Sequence, residues 1–424
     1  VKIPQSIFAP VSLLLIVGTS PAFAAGRTCD VRQYGATSDG VTKSTRGIQS
    51  AIDACAKAGG GTVTLEGGTF LSGPVVLRDH ITLNIAAGAM LLGSPDHADY
   101  PPKTEFRNPG LQSLVSATGA NDVVITGGGT IDGNGESWWT EARRFKDAGI
   151  LGSEHTRPRL VVFDHCHHVR VEGVTLQNSP MWQLVPYDSD DVTIRNIRVL
   201  APAKSPNTDA IDPFSSSNVV IDHVYADVGD DDIAIKSGAI NSPGGDLPSK
   251  NIRITNVDFH HGHGLSIGSE IAGGAQNISV EHAKFTDTDN GIRIKANRDR
   301  GNDVSHISFD DIQMDQVKIA LIISEYYPSV LPTGEMAAAP VTRLTPHFHD
   351  IVITNVKATA TKSAGAIVGL PEAPIAGVTL KNISIEAPQG LTVGYASVTA
   401  EHVEVHASSG EGITKLAGST ITSH

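Results

Sequence analysis

From about Asn121 onward, one pattern of apolar and polar positions keeps returning along the chain: apolar, any residue, apolar, two polar or small residues, apolar, any, apolar. Val169-Arg170-Val171-Glu172-Gly173-Val174-Thr175-Leu176 is one copy, and Val192-Thr193-Ile194-Arg195-Asn196-Ile197-Arg198-Val199 is the next. Later copies begin at Val219, Ile252, Ile278, Ile307, Ile351 and Val378, with a weaker one at Val398. Within each half the apolar period is two, which is the period of strands and not of helices. The polar pair switches the parity, as a corner between two strands does. From Val169 to Ile278 the starts fall about 23 to 33 residues apart, a period that marks solenoids, whose units bury their apolar faces only by stacking. An antiparallel sandwich would need tight Asn-Gly or Asp-Gly hairpins between strand pairs; a few such dipeptides occur, but the spacing is that of coils. The predicted fold is all-β, a single-stranded parallel β-helix, right-handed by the crossover rule. Residues 44–58 predict a short helix capping its open N-terminal end, with Ile48, Ala51, Ile52 and Cys55 on one face and Gly59-Gly60-Gly61 to stop it.

The first 24 residues stand outside this pattern. Lys2, the apolar run 11–17 and Ala22-Phe23-Ala24 follow the order of a secretory leader cut after Ala24, and the run is too short to span a bilayer. The expected organisation is a leader over 1–24 and one β-helix domain over 25–424, since no linker or charge block divides the roughly 400 remaining residues. The expected location is extracellular or periplasmic. The net charge is −13, and removing the leader takes away one base and no acid. A chain this acidic is a poor partner for nucleic acid or an anionic membrane, and a monomer is expected. Any anionic ligand must meet local positive charge. Three cysteines allow at most one internal disulfide; Cys29 with Cys55 is the expected pair, leaving Cys166 as a buried thiol.

Four consecutive coils carry unusual polar residues around a strand whose first apolar positions are Ile211, Ile233, Leu265 and Ile292. Two places earlier stand Asp209, Asp231, His263 and Asn290; one place later Asp212, Ala234, Ser266 and Arg293; three places later Phe214, Lys236, Gly268 and Lys295. Aligned positions in a parallel stack lie about 4.8 Å apart, so carboxylates, an imidazole and cations fall on neighbouring rungs of one face. In a strict strand Asp230 and Asp231 would point to opposite sides. Gly229 before them predicts a kink that lets both face one groove.

These segments resemble the polygalacturonases, glycoside hydrolase family twenty-eight, whose fold is the pectin-lyase-like solenoid. The resemblance rests on Asn207-Thr208-Asp209, Gly229-Asp230-Asp231, Gly262-His263-Gly264 and Arg293-Ile294-Lys295, in that order on adjacent coils. Gly129-Thr130-Ile131-Asp132-Gly133 with Trp138-Trp139, and Asn178-Ser179-Pro180, extend it over most of the chain. Ala210, where many members have Gly, and the third acid Asp232 depart from the pattern. The resemblance implies a pectin-degrading hydrolase of homogalacturonan that needs no cofactor and no metal. Asp230 would be the general acid, while Asp209 and Asp231 would deprotonate a water that attacks with inversion. His263 would tune the acid, Asn207 would bind substrate or orient the site, and Arg293 and Lys295 would hold a sugar carboxylate. Tyr326 is taken as the sugar-stacking residue, with Tyr327 competing.

For Asp222, Asp258 and Asp310, and for the Asp164-His165-Cys166-His167-His168 run, corner chemistry is the better reading. Trp138, Trp139 and Trp182 line the cleft or fill gaps under loops. Three rival readings remain: a rhamnogalacturonan hydrolase, a calcium-dependent pectate lyase, and a non-catalytic glycan-binding β-helix. Endo action is slightly favoured over exo, with loops 145–156 and 330–346 as candidate walls of the groove.

Overall fold

The corners explain why this sequence coils. The second residue of each polar pair sits in the left-handed region: Asn196, His223, Asn256, His282, Asp311, Asn355, Asn382 and His402 all have φ between 51° and 56°. The residue just before each repeat does the same, at His168, Asp191, Asn218, Asn251, Asn277, His306 and Asp350. Asn, Asp and His are the side chains that best tolerate this conformation, and one such residue between two extended runs turns the chain by a corner. His165, with φ 54°, and His168 are corners of this kind, which accounts for the histidine run. Stacked corner amides also bond along the axis: Asn277 Nδ2 donates to Asn251 Oδ1 at 3.2 Å and Asn251 Nδ2 to Asn218 Oδ1 at 3.0 Å.

The computed structural model describes residues 26–149, 156–332 and 337–423. The leader expected at 1–24 and parts of both candidate loops fall outside them. Within them, every repeat start read from the sequence is the parallel register partner of the next, from Val169 and Val192 through to Val378 and Val398. The fold is a parallel β-helix. Its stack begins well before Asn121, because Cys29, Val63, Leu83, Ile125 and Val171 form one continuous column. Those early coils escaped the pattern because their strands are short and turns such as that at Gly67 (φ 67°) use glycine in place of a polar pair.

The N-terminal cap is helix α1, Thr45–Lys57, which buries Ile48, Ala51, Ile52 and Cys55 as expected. Ser44 precedes it without capping it by side chain; its hydroxyl accepts from Thr37 N and donates to Thr37 O. Gly59 and Gly60 end it with positive φ. Cys29 and Cys55 are joined as a disulfide and Cys166 is a buried thiol. A second helix, α2 (Glu136–Asp147), was not anticipated, and it takes in the start of the segment assigned to loop 145–156. Trp138 and Trp139 on α2 are buried, with Trp139 Nε1 donating to Ser179 O at 2.9 Å, so they fasten the helix to the stack and fill space under it. Among the described residues no helix is long and apolar enough to cross a membrane.

A second column carries the site. Val75, Val115, Val161, Leu184, Ile211, Ile233, Leu265, Ile292 and Leu321 pair in succession. Their side chains fill the core, so the residues on either side of each one are placed in a repeating relation to the outer face.

Candidate active site

The sequence alignment of four coils holds for the first part of each strand and fails after it. Ile211, Ile233, Leu265 and Ile292 are true neighbours, as are Ala234 with Ser266 and Ser266 with Arg293. Beyond Ile235 and Ile267 the ladder slips, and Ser237 pairs with Ile271. Lys236 and Lys295 therefore share no column through Gly268, contrary to the sequence alignment. The physical reason is the path of Gly268, whose φ is 98° and where a Cβ would lie 1.9 Å from Lys295 O.

The expected kink at Gly229 is present, and it is a matter of space. A Cβ there would stand 2.3 Å from Ser205 O and 2.8 Å from Pro202 O, so the Asp230-Asp231 segment can nest against the Asn207-Thr208-Asp209 turn only with glycine. Gly229 N donates to Thr208 Oγ1 at 3.1 Å and Ala210 N to Asp231 O at 2.9 Å, which lock the two segments together. Both acids then reach one place. Asp230 Oδ1 lies 2.9 Å from His263 Nδ1 and accepts from Asp231 N at 3.0 Å. Asp231 accepts from Ser266 Oγ at 3.0 Å, from Lys295 Nζ at 3.0 Å and from the Arg293 guanidinium. The Asp230 side chain is 22% exposed, whereas those of Asp209 and Asp231 are 4% and 3% exposed. Asp230 stands at the mouth and the other two beneath it.

His263 is set by the glycines flanking it. Gly264 has φ 78° and approaches Asn290 O so closely that a Cβ would be 1.9 Å away; one at Gly262 would be 2.5 Å from Asp232 Oδ2. Asp232, the extra acid, belongs to this turn: Gly264 N donates to its Oδ2 at 3.0 Å. It is fully buried, and burial pushes its carboxyl well above the usual carboxylate range. Asp232→Asn is accordingly expected to retain activity within a few-fold of wild type, read as kcat/KM. A loss as large as that of the groove acids would place Asp232 in the mechanism.

Asn207 sits at φ 57° with its Nδ2 3.5 Å from Asp230 Oδ2. Its orientation is imposed by Arg157, which sequence reasoning missed. That guanidinium donates to Asn207 Oδ1 at 2.6 Å and to Pro180 O and Pro206 O, both at 2.8 Å. Arg157 lies outside every repeat, so no column could have revealed it. Asp212 stood in an aligned column but was given no role. It is fully buried, 3.8 Å from Lys236 Nζ, which also lies 3.4 Å from Asp209 Oδ2, 3.9 Å from Glu270 Oε2 and 4.9 Å over the Trp182 ring. Burial opposes the Lys236 charge, but Asp212, Asp209 and Glu270 outweigh it and hold the ammonium above its ordinary range. Lys236 is thus the buried counter-charge of Asp209.

Of the two competing tyrosines, Tyr327 is the one set beside the site's cations. The Tyr326 hydroxyl is buried without a partner among the described residues, with Arg298, Glu325 and Glu372 as its nearby charges. Tyr327 is the ring beside the site, 5.2 Å from Lys295 Nζ and 5.6 Å from the Arg300 guanidinium.

The acids respond differently to this setting. Burial, and then the Asp230 charge, push Asp209 up to about 7 against the pull of Lys236. Burial would raise Asp231 too, but Arg293, Lys295 and Lys236 overwhelm it and hold this carboxyl well below the usual range. Burial disfavours the His263 cation, yet Asp230 and Asp231 raise it above 6.5. The sign for stability follows. The raised Asp209 and His263 favour the fold while protonated: the Asp209 contribution is lost as pH rises from its ordinary 3.8 to about 7, and the His263 contribution as pH rises above its ordinary 6.5. The lowered Asp231 favours it while ionised, and its contribution is lost as pH falls below the ordinary 3.8. The free protein is expected to melt highest near pH 4 and to lose stability from there towards neutrality. Asp209→Asn should flatten the decline from there to neutrality; an unchanged decline would show that Asp209 does not titrate in that window.

A parallel β-helix that gathers three carboxylates, an imidazole and a set of cations over one face has the equipment of a carbohydrate-cleaving enzyme working by acid–base chemistry. Residues 58–408 match the sequence profile of Glycosyl hydrolases family 28, and the chain belongs to this family. It is 31% identical to a probable polygalacturonase of Vitis vinifera over 83% of this chain and 73% of that one. It is 32% identical to an endo-polygalacturonase of Pectobacterium carotovorum subsp. carotovorum over 66% of this chain and 71% of that one. The solved structure of a hyperthermoactive exopolygalacturonase from Thermotoga maritima superposes with a TM-score of 0.75 at 26% identity, covering 92% of this chain and 91% of that one.

Proposed function

We propose that the chain hydrolyses α-1,4-galacturonosidic bonds of polygalacturonate with inversion, by internal cleavage, as an exported monomeric enzyme of one β-helix domain over 25–424. The observation that carries this reading is the division of labour among three neighbouring acids. Asp230, at the mouth and hydrogen-bonded to His263, is placed to protonate the departing glycosidic oxygen. Asp209 and Asp231 lie beneath it, where they can hold and deprotonate the attacking water. The groups titrate as a coupled set. In the empty groove burial, and then the Asp230 charge, raise Asp209 to about 7; catalysis draws on the form in which Asp209 is ionised and Asp230 has a proton to donate. Arg293, Lys295 and the Tyr327 ring together make a basic wall suited to a uronate. The Cys29–Cys55 disulfide fits an oxidising compartment, and one chain supplies every group of the site.

The lyase reading requires calcium, which takes about 6–8 oxygen ligands. Asp230, Asp231 and His263 are close enough together to hold an ion, but the Asp231 oxygens are already bonded to Ser266, Arg293 and Lys295. Cations packed against a carboxylate argue against its serving a second cation. Digestion of polygalacturonate in excess chelator is therefore expected to proceed undiminished and to release saturated sugars. A calcium requirement, or products with the ultraviolet absorbance of an unsaturated uronide, would establish the lyase. The relatives bear both endo and exo names. Early products spread over many lengths are expected, and release of a single small product from the outset would reverse the cleavage mode.

A further inference from the structure

Away from the groove, a second constellation of polar side chains has no part in this chemistry. It arises from strand periodicity on adjacent rungs. Asp303 pairs with His347 and Ser305 with His349, while Gln276 pairs with Ser305 from the rung before. Val304 and Phe348, between them, are fully buried in the core, so the flanking residues of both rungs share the outer face.

Their hydrogen bonds are ordered in a particular way. Asp303 Oδ2 accepts from Gln276 Nε2 at 2.9 Å and from Ser305 Oγ at 2.8 Å, which fixes the carboxylate plane. Asp303 Oδ1 is left for two imidazoles, with His349 Nε2 at 2.8 Å and His347 Nδ1 at 3.5 Å. The other nitrogen of His349, Nδ1, lies 2.8 Å from Asp350 Oδ2. The donor atoms of Asp303, His347 and His349 fall within 4.8 Å of one another, and the two imidazole rings are 4.5 Å apart. An imidazole whose far nitrogen is braced by a carboxylate, beside a carboxylate whose far oxygen is braced by donors, is the outer-shell arrangement that orients metal ligands. Ordinary ion pairing calls for neither brace.

We propose that Asp303, His347 and His349 form a surface site for one divalent transition cation, best matched by zinc, that clamps two consecutive coils. Two imidazoles and a carboxylate suit a borderline ion, and three protein ligands leave a fourth, tetrahedral position for water. The ion would take the place of the proton held between Asp303 Oδ1 and His349 Nε2, so binding releases a proton. His347 is 57% exposed on its side chain, which gives the ion a path from solvent. The clamp would act where the segment 325–346 returns to the stack, at the point where His347 N donates to Asn302 O at 3.0 Å. No step of hydrolysis uses it, so its loss is compatible with full activity in chelator.

The test is calorimetric titration of zinc into the untagged, chelator-stripped full chain at about pH 7.5, together with thermal melting in the same buffers. One equivalent should bind to wild type, and the melting temperature should rise with zinc. His349→Gln and His347→Gln should each weaken binding at least about tenfold and abolish the thermal shift. His263→Gln in the groove and His306→Gln beside the site should bind as wild type does. Because His347 is exposed, its variant remains informative even if His349→Gln folds poorly. Equal binding by wild type and His347→Gln, or loss of the tight site in His263→Gln, overturns the proposal, as does the absence of saturable binding.

Discussion

Asp230→Asn is expected to lower kcat by at least about 10²–10⁴-fold while leaving the fold intact, because it keeps the shape of the side chain and removes the transferable proton. The geometry sharpens this expectation. Asp230 is the one acid of the three that stands at the mouth, and its Oδ1 meets a histidine nitrogen and a backbone amide, which an asparagine oxygen can still engage. KM should change little, since the loss falls on proton transfer. Asp209→Asn and Asp231→Asn should also be severe, and the double variant Asp230→Asn/Asp231→Asn should fall far short of the product of the singles, as expected for groups acting as a unit. Steady-state kinetics on polygalacturonate with matched melting curves decide the matter. A near-normal kcat in a folded Asp230→Asn protein removes that residue from the mechanism.

Arg293→Ala is expected to reduce kcat/KM on polygalacturonate by about 1.5–3 kcal/mol, roughly 10- to 150-fold. Sequence reasoning assigned this cation to the sugar alone. The structure gives it a second duty, since its guanidinium is bonded to Asp231 and its Nε donates to Ser266 Oγ at 2.9 Å. The loss should therefore divide between KM and kcat, and a measurable fall in melting temperature should accompany it, limited because Lys295 still faces Asp231. Arg293→Lys should not restore the rate, because an ammonium cannot reproduce the fork that spans Ser266 and Asp231. Wild type should prefer polygalacturonate strongly over its fully methyl-esterified form, and the alanine variant should lose most of that preference. Retention of the full preference in a folded variant would mean that the carboxylate is read by Lys295 and its neighbours without Arg293.

Periodicity made the stack legible, because a two-residue alternation broken by a left-handed corner is visible in the choice of Asn, His and Asp at fixed offsets from each apolar start. The same regularity located Asp209, Asp231, His263 and Arg293, all of which lie on rungs that stay in register. What escaped the sequence lies where periodicity stops. The slip after Ile235 and Ile267 removed the supposed link between Lys236 and Lys295. Tyr326 and Tyr327 lie in a bend and turn past the end of a strand, where alternation no longer tells which ring faces the cations. Arg157 comes from an irregular stretch, and its grip on Asn207 depends on two carbonyls, of Pro180 and Pro206, that no side-chain pattern announces. Helix α2 was hidden because its buried face is two tryptophans meeting one side of the stack, too short an apolar stripe to stand out.

The corner residues have a consequence for how such a protein can diversify. Each coil is returned to alignment by its own two left-handed residues, so the length of chain spent between coils has no bearing on the alignment of the next. The segment 325–346 intervenes between Ser324 and His347, and yet Ile307 and Ile351 meet as faithfully as Val192 and Val219. Insertions and deletions in such connections are then close to neutral for folding, while they rebuild the rim above a constant chemical floor. Natural variation that alters which polysaccharide ends are admitted should accumulate in those connections, and substitutions at the corner asparagines and histidines should be confined to residues, glycine above all, that accept the same backbone.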